Sequence, residues 1–376
     1  MDFGDSPEES EFRGRLRAWL QDNNPRLPTS STDDDYWKGA AGWHQSLYEA
    51  GFFGMSWPTA IGGQGLPSVY DVIVDEELAA AGTPPRPSLG YLVQGILEHG
   101  NEDIKARFLP GIINGRDRWC QGFSEPDAGS DLASLRTRAD RTGDDYVLTG
   151  HKVWTSYSDD AEWCLVLART DHDVAKHRGI SAFAVSMHQP GIEQRALRMI
   201  NGITKEFGEV VFDGARVPAA NMIGEPGEGW RLAMTIVSHE REPSELGYVA
   251  RYSKVVNELT RQVRNNAAGF GQDQRRELGW AIVEVEMLRL HVRRRLSDRL
   301  NGIAHGPEGS VDKLLMTWAE QTAGHACLAI GGIAHGGGDD TWLKTYLYSR
   351  AQSVMGGTSQ IQRNLVASRI LGLPES

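Results

Sequence analysis

Apolar residues recur every three to four positions early in the chain. Glu9 to Leu20 has this helical spacing, and Val69 to Ala81 repeats it between a Pro67-Ser68 opening and a Gly82 stop. Residues 8 to about 118 are therefore expected to be mostly helical. From about Trp119 to Gly229 the runs shorten. Tyr146-Val147-Leu148, Trp163 to Leu167, Ile180 to Val185 and Val210-Val211-Phe212 read as strands, with Thr142-Gly143-Asp144-Asp145 and Asp213-Gly214 as turns. Spacings this short favour an antiparallel barrel or sandwich over βαβ units. Helical spacing returns after Gly229 and lasts to the end, broken near Gly269 to Asp273, Gly302 to Gly309 and Gly331 to Asp340. The pattern predicts a mainly α chain with a central β domain, divided as 1–118, 119–228 and 229–376.

Composition narrows the function classes. A chain of 376 residues suits two or three domains or one large layered unit. With 40% hydrophobic and 24% charged residues it reads as a soluble globular protein, and no apolar run approaches a membrane span. The acidic start, Met1 to Glu9, lacks the order of a secretion signal, so a cytoplasmic location is expected. The formal charge of -11, from 39 basic and 50 acidic side chains, argues against nucleic-acid binding. Arg293-Arg294-Arg295 reads as a solvated helix face. The three cysteines, Cys120, Cys164 and Cys327, lie far apart with no CxxC pair, which points to buried thiols and not to disulfides or zinc. His172-Asp173 and His177 sit in a polar loop and are assigned no metal, and no Gly-x-Ser-x-Gly elbow marks a hydrolase. The glycine-rich stretch Gly62 to Pro67 lacks both GxGxxG spacing and a preceding strand, so it reads as a loop.

Two polar motifs remain. Phe123-Ser124-Glu125-Pro126-Asp127-Ala128-Gly129-Ser130-Asp131 combines glycine with small hydroxyl residues, which lets a backbone approach a planar or phosphorylated ligand. Lys152-Val153-Trp154-Thr155-Ser156 pairs a large aromatic face with a hydroxyl. On spacing alone the first is also an ordinary tight loop, and Trp154 is also an ordinary core residue.

In this order and separation the two motifs resemble the flavin-binding loops of the acyl-CoA dehydrogenase family. The segment Met355-Gly356-Gly357-Thr358-Ser359-Gln360-Ile361-Gln362-Arg363-Asn364 resembles that family's C-terminal flavin-contacting stretch. Glu76-Glu77-Leu78-Ala79, Lys176 to Phe183, Arg216-Val217-Pro218, Ile223-Gly224-Glu225 and Gly229-Trp230 match further words along the chain. The resemblance implies the acyl-CoA dehydrogenase fold: a helical N-domain, a β-barrel or sandwich middle domain and a C-terminal four-helix bundle, with FAD as hydride acceptor. Carried over residue by residue, it assigns Gln121, Phe123, Ser124, Gly129, Ser130, Trp154 and Ser156 to the flavin, with Thr358 and Gln360 approaching from the C-terminal segment. It places Ser130, Ser238, Arg241 and Gly356 near the acyl-CoA.

Removing the α-proton of an acyl thioester needs a base, and hydrogen bonds to the carbonyl oxygen stabilise the enolate. Many relatives carry the base as a Glu directly before the Gly-Thr pair; here that position is Gly356, which keeps only its backbone N–H. Other members place the glutamate on the first long helix of the C-terminal domain, directly before an arginine, and Ser238-His239-Glu240-Arg241 matches them. Glu240 is assigned as the base, about three turns into a helix that starts near Gly229. Burial is expected to raise its pKa and Arg241 to oppose that shift. Read without the family, Glu240 and Arg241 are exposed helix charges. Pro243 should kink or end the helix, which makes Glu242 and Glu245 rival carboxylates.

The resemblance also implies an electron-transfer flavoprotein as electron acceptor and a homotetramer or heterotetramer. Val263 to Gly271 and Leu328 to Gly332 depart from the family's intersubunit flavin contacts, which fits a heterotetramer with a partner chain. The space left at Gly356 favours a branched or bulky acyl group. The competing readings are a flavin monooxygenase on the same fold and a non-catalytic subunit that completes a partner's site.

Overall fold

The computed structural model describes residues 4–25, 34–240, 248–303, 306–331 and 341–374, with side chains 34–38 and 299 left out. The helices are α1 (Pro7–Asn23), α2 (Asp34–Glu49), α3 (Val69–Ala81), α4 (Gly90–His99), α5 (Glu102–Ile113), α6 (Gly229–Glu240), α7 (Tyr248–Asn265), α8 (Gln272–Leu300), α9 (Gly309–Gly331), α10 (Thr341–Ser349) and α11 (Ser359–Leu365). The strands are β1 (Trp119–Gly122), β2 (Arg138–Thr142), β3 (Asp145–Ser156), β4 (Trp163–Arg169), β5 (Ile180–Ser186), β6 (Ile192–Leu197) and β7 (Phe207–Pro218). Two compact units result, one of Met1–Arg26, Gly65–Arg86 and Glu240–Ser376, the other of Leu27–Gln64 and Pro87–His239. No described helix is long and apolar enough to cross a membrane.

The second unit is built on one seven-stranded sheet, ordered β1-β4-β2-β3-β7-β6, with β5 paired to β4. It is not wholly antiparallel: β1 runs parallel to β4, Trp119 beside Trp163, and β2 touches β4 in parallel at Arg138 and Arg169. Nearly every residue of β4 and β5 is buried, because both faces of these strands are covered. Cys164, Val166, Phe183, Val185, Val210 and Phe212 form the core on one side. Near the sheet edge Phe108 of α5 meets the Trp119 and Trp163 rings edge-on, at 5.2 and 4.9 Å between centroids.

Asp213-Gly214 is not a turn, contrary to expectation. Both residues lie inside β7, where the pairing with β3 shifts register and Gly214 takes φ 75, so the glycine serves a bulge. Thr142 to Asp145 does form the turn expected of it, closing the β2–β3 hairpin around Gly143 at φ 64.

Helix α6 begins directly on the sheet. A Cβ at Gly229 would lie 2.7 Å from Ser181 Cα, and the Ser181 hydroxyl accepts the Gly227 N–H at 2.9 Å. Along its length α6 packs tightly on α4: a Cβ at Gly95 would lie 2.7 Å from Ile236 Cγ1, and His99 Nε2 is 2.9 Å from Thr235 Oγ1.

The first unit is a helical bundle. Val256 and Leu259 of α7, Leu278, Val285 and Leu288 of α8 and Met316, Ala323 and Cys327 of α9 build its core. Helix α3 packs on α7 and α1 on α3. Arg13 and Arg17 of α1 fork onto Glu77 of α3 at 2.7 to 2.9 Å. The α1 start is fixed by a capping box, Ser6 with Glu9, and α3 stops at Gly82 in the left-handed region. Of the triple arginine on α8, Arg295 is drawn into the bundle beside Asp312, so only part of that stretch is a solvated face.

Candidate active site

In the sheet unit, the loop after β1 is tied down by its own backbone and by one buried ion pair. Glu125 and Ala128 exchange two backbone hydrogen bonds at 3.0 Å, closing the Pro126-Asp127 turn. The Ser124 carbonyl accepts Val153 N–H at 3.0 Å. Beneath the loop, fully buried Lys152 donates to Glu125 Oε1 at 2.8 Å and to the Phe123 carbonyl at 3.0 Å. The Glu125 carboxylate also accepts the Arg136 and Thr137 N–H groups, at 2.6 and 2.8 Å. Burial alone would raise the Glu125 pKa; the Lys152 ammonium and these donors outweigh it and hold the carboxyl below its ordinary range. The sequence pattern gives neither residue a role. A buried lysine is invisible in sequence, because lysines default to the surface.

Two residues past Lys152, β3 carries a bulge: from Lys152 to Thr155 it advances three residues while β7 goes from Val210 to Gly208. Trp154, in the bulge, adopts φ 62, and its indole is 63% exposed. Its exposure excludes the core-residue reading. A large non-glycine side chain held in the left-handed region and presented outward is strain that the surrounding sheet must impose. Phe123 is buried, Ser124 and Ser156 half-buried, and Gly129 and Ser130 exposed, with nothing among the described residues within 4 Å of a Cβ built at Gly129. Gln121 Oε1 and Thr155 Oγ1 are buried without a hydrogen-bond partner among the described residues. An outward aromatic face, open glycine and hydroxyl backbone and an orphaned amide oxygen fit a flavin, which Gln121, Ser130, Trp154 and Ser156 would hold. Asp131, at the loop end, is held below its usual pKa by Ser134 and then by Lys176.

In the helical unit, Gly356 and Gly357 stand at φ 62 and 92, a conformation that favours glycine. Thr358 follows as N-cap of α11, its hydroxyl accepting Ile361 N–H at 3.2 Å, while Gln360 is exposed. Buried Gln362 donates to the Gly356 and Gly357 carbonyls at 3.1 and 3.4 Å. Buried Lys313 of α9 reaches the Gln352 carbonyl at 2.5 Å, and its Cε lies 3.4 Å from a Cβ built at Gly356. Neither Gln362 nor Lys313 was singled out from sequence.

Glu240 is half-buried and is the last residue of α6, about three turns from its start. Its charge is felt by the Tyr248 phenol, whose pKa burial pushes up to about 12, with Arg251 opposing and Glu320 and Glu240 adding. Arg251 lies over the Tyr248, Tyr252 and Tyr348 rings, 4.9 to 5.6 Å from their centroids, and contacts Glu320 at 3.1 Å. Ser238 is exposed and donates back to Thr235 O at 2.7 Å, within its own helix. Arg241, Glu242, Pro243 and Glu245 lie outside the described residues. His177 packs edge-on to Trp230 at 4.5 Å, and all three cysteines are buried and free.

Three family models match consecutive stretches of the chain: acyl-CoA dehydrogenase N-terminal domain over residues 6–116, middle domain over 120–215 and C-terminal domain over 227–371. The chain belongs to the acyl-CoA dehydrogenase family. Its fold is that of the family, and it is an FAD-dependent oxidoreductase. Acyl-CoA dehydrogenase IpdE1 of Mycobacterium tuberculosis is 36% identical over 378 residues, 97% of each chain. The protein of the same name from Mycolicibacterium smegmatis is 34% identical over 391 residues, 98% of each. Among solved structures, the Tcur3481-Tcur3483 steroid ACAD superposes with TM-score 0.85 at 26% identity over the whole of both chains. The ChsE4-ChsE5 complex from Mycobacterium tuberculosis gives 0.83 at 26%, again over both whole chains.

Proposed function

We propose that the chain catalyses α,β-dehydrogenation of a bulky acyl-CoA with Glu240 as the base. The observation that carries this reading is the pair of left-handed glycines at 356 and 357, which leaves no carboxylate where many relatives have one, together with a half-buried Glu240 at the end of α6. Glu240 takes the α-proton, and the Gly356 N–H meets the negative charge that develops on the thioester oxygen. FAD, when bound, supplies the acceptor for the hydrogen and electron pair lost from the β-carbon. Gln121, Phe123, Ser124, Gly129, Ser130, Trp154 and Ser156 hold it, with Thr358 and Gln360; Ser238 and Arg241 serve the acyl-CoA.

The small residue at 356 leaves room beside the acyl group, and the steroid ACAD among the structural relatives supports a polycyclic or branched acyl group over a linear one. Two of those relatives, Tcur3481-Tcur3483 and ChsE4-ChsE5, are named as pairs of chains, which supports a heteromeric assembly; an electron-transfer flavoprotein is the oxidant in this reading. The domain division 1–118, 119–228 and 229–376 is part of the same reading. Anaerobic addition of steroid side-chain, branched and linear acyl-CoAs to the yellow protein tests it. Bleaching by the bulky thioesters is expected; preferential bleaching by linear medium chains contradicts the substrate class.

A further inference from the structure

The Gly356-Gly357 turn is gripped from two sides within the helical unit. On one side Gln362, fully buried at the first turn of α11, donates to both glycine carbonyls. On the other, Lys313 comes up from α9, almost completely buried. Its ammonium donates to Gln352 O at 2.5 Å and lies 3.3 Å from Thr317 Oγ1. Thr317 in turn donates to Lys313 O at 2.8 Å and lies 3.3 Å from Gln352 O.

Burying a lysine this completely is costly unless its donors are used. Here donors go to the carbonyl four residues before Gly356 and to Thr317 Oγ1, and the lysine Cε lies 3.4 Å from where a Cβ at Gly356 would be. A left-handed Gly-Gly turn has no side chains with which to hold its own conformation, and glycine has the most backbone freedom to lose. The direction of its N–H groups therefore depends on what grips the flanking carbonyls. An oxyanion donor must be aimed before the reaction begins.

We propose that Lys313 is a positioning residue that anchors the Gln352 carbonyl and so aims the Gly356 N–H at the thioester oxygen. This rests on the dehydrogenase reading above, with Gly356 as the carbonyl donor. Lys313 does not touch the reacting atoms; it acts through the backbone from 352 to 356.

The test uses the FAD-loaded full chain, with its partner if it purifies with one. In Lys313→Met, amide hydrogen exchange in the 352–362 peptide should accelerate by about tenfold or more, with peptides from the β3–β7 sheet unchanged. The kcat should fall about tenfold or more while KM moves by less than about threefold, as expected for loss of a transition-state contact. Wild-type exchange in this peptide, or wild-type kcat, overturns the inference. Glu240→Gln run in parallel separates the two claims. It should keep slow exchange at 352–362 while losing turnover, so normal turnover there removes the base assignment and leaves the exchange result standing. If Lys313→Met does not fold, Gln362→Leu carries the same test from the other side of the turn. Failure of both to give a folded flavoprotein makes the grip purely structural and overturns the proposal.

Discussion

Both units of this chain use a buried lysine to hold a backbone segment assigned to the active site, and they do so with different chemistry. In the sheet unit Lys152 meets a carboxylate, Glu125, which also gathers two backbone N–H groups. In the helical unit Lys313 donates to neutral acceptors, the Gln352 carbonyl and the Thr317 hydroxyl. An ion pair of this kind makes a loop expensive to open, because either partner left alone is a buried charge. A lysine on a carbonyl also fixes direction, and its loss leaves that carbonyl short of one bond. The loop proposed to face the flavin is thus built as a firm floor, and the Gly356 turn, in the proposal above, as an aimed but softer donor.

The largest effect that would break this contrast is at the ion pair. Lys152→Met should destabilise the sheet unit by about 3–5 kcal/mol, and pairing it with Glu125→Leu should recover much of the loss. Denaturant unfolding of both proteins measures it, and a cost under about 1 kcal/mol for the single change denies the floor its role.

Acid provides the next test, because the two units should respond in opposite directions. Burial drops His44, in the sheet unit, from 6.5 to about 4. The unfolded chain then takes up the proton first, and stability falls as pH drops from about 6.5 toward 4, by about 3 kcal/mol at most. In the helical unit, burial pushes Asp75 from 3.8 up to about 6 against the pull of Arg86. The folded state keeps that proton longer, so its contribution is lost as pH rises from about 3.8 through 6, again by about 3 kcal/mol. Unfolding followed from pH 4 to 7 should lose its acid-side slope in His44→Gln and its opposing slope in Asp75→Asn.

Lys313→Met should cost less stability than the ion pair, about 1–3 kcal/mol for the buried hydrogen bonds lost to Gln352 O and Thr317 Oγ1. A cost equal to that of Lys152→Met would erase the difference between the two props. The smallest effect is Gly356→Ala. Among the described residues the new Cβ meets only Lys313 Cε, at 3.4 Å, so the expected penalty is that of the left-handed backbone, roughly 1–2 kcal/mol. Thermal unfolding of this variant measures it.

Helix α3 was legible to the residue, because Ser68 and Gly82 bracket an apolar period that tertiary structure had no reason to overrule. The edge strand β6 was not, since Glu193, Gln194 and Arg195 interrupt any β-rich run on a largely solvated strand. Gly214 read as a turn because a glycine in a bulge and a glycine in a hairpin need the same positive φ. For the site, the residue types supplied a loop and an aromatic, and only likeness to a family turned them into a flavin face. The two lysines beneath were hidden, because burial of a lysine is decided by partners distant in sequence, such as Glu125 to Lys152 and Lys313 to Gln352.

The central claim is that Gly356 marks a relocated base and not a lost one. Rapid anaerobic mixing of the FAD-loaded protein with a bulky acyl-CoA follows flavin bleaching directly. Glu240→Gln should retain FAD and bind the thioester, yet bleach on the order of a thousandfold more slowly, within the range by which a positioned base accelerates proton transfer. Bleaching within about tenfold of the wild-type rate would contradict the account and return the base to Glu242, Glu245 or a partner chain.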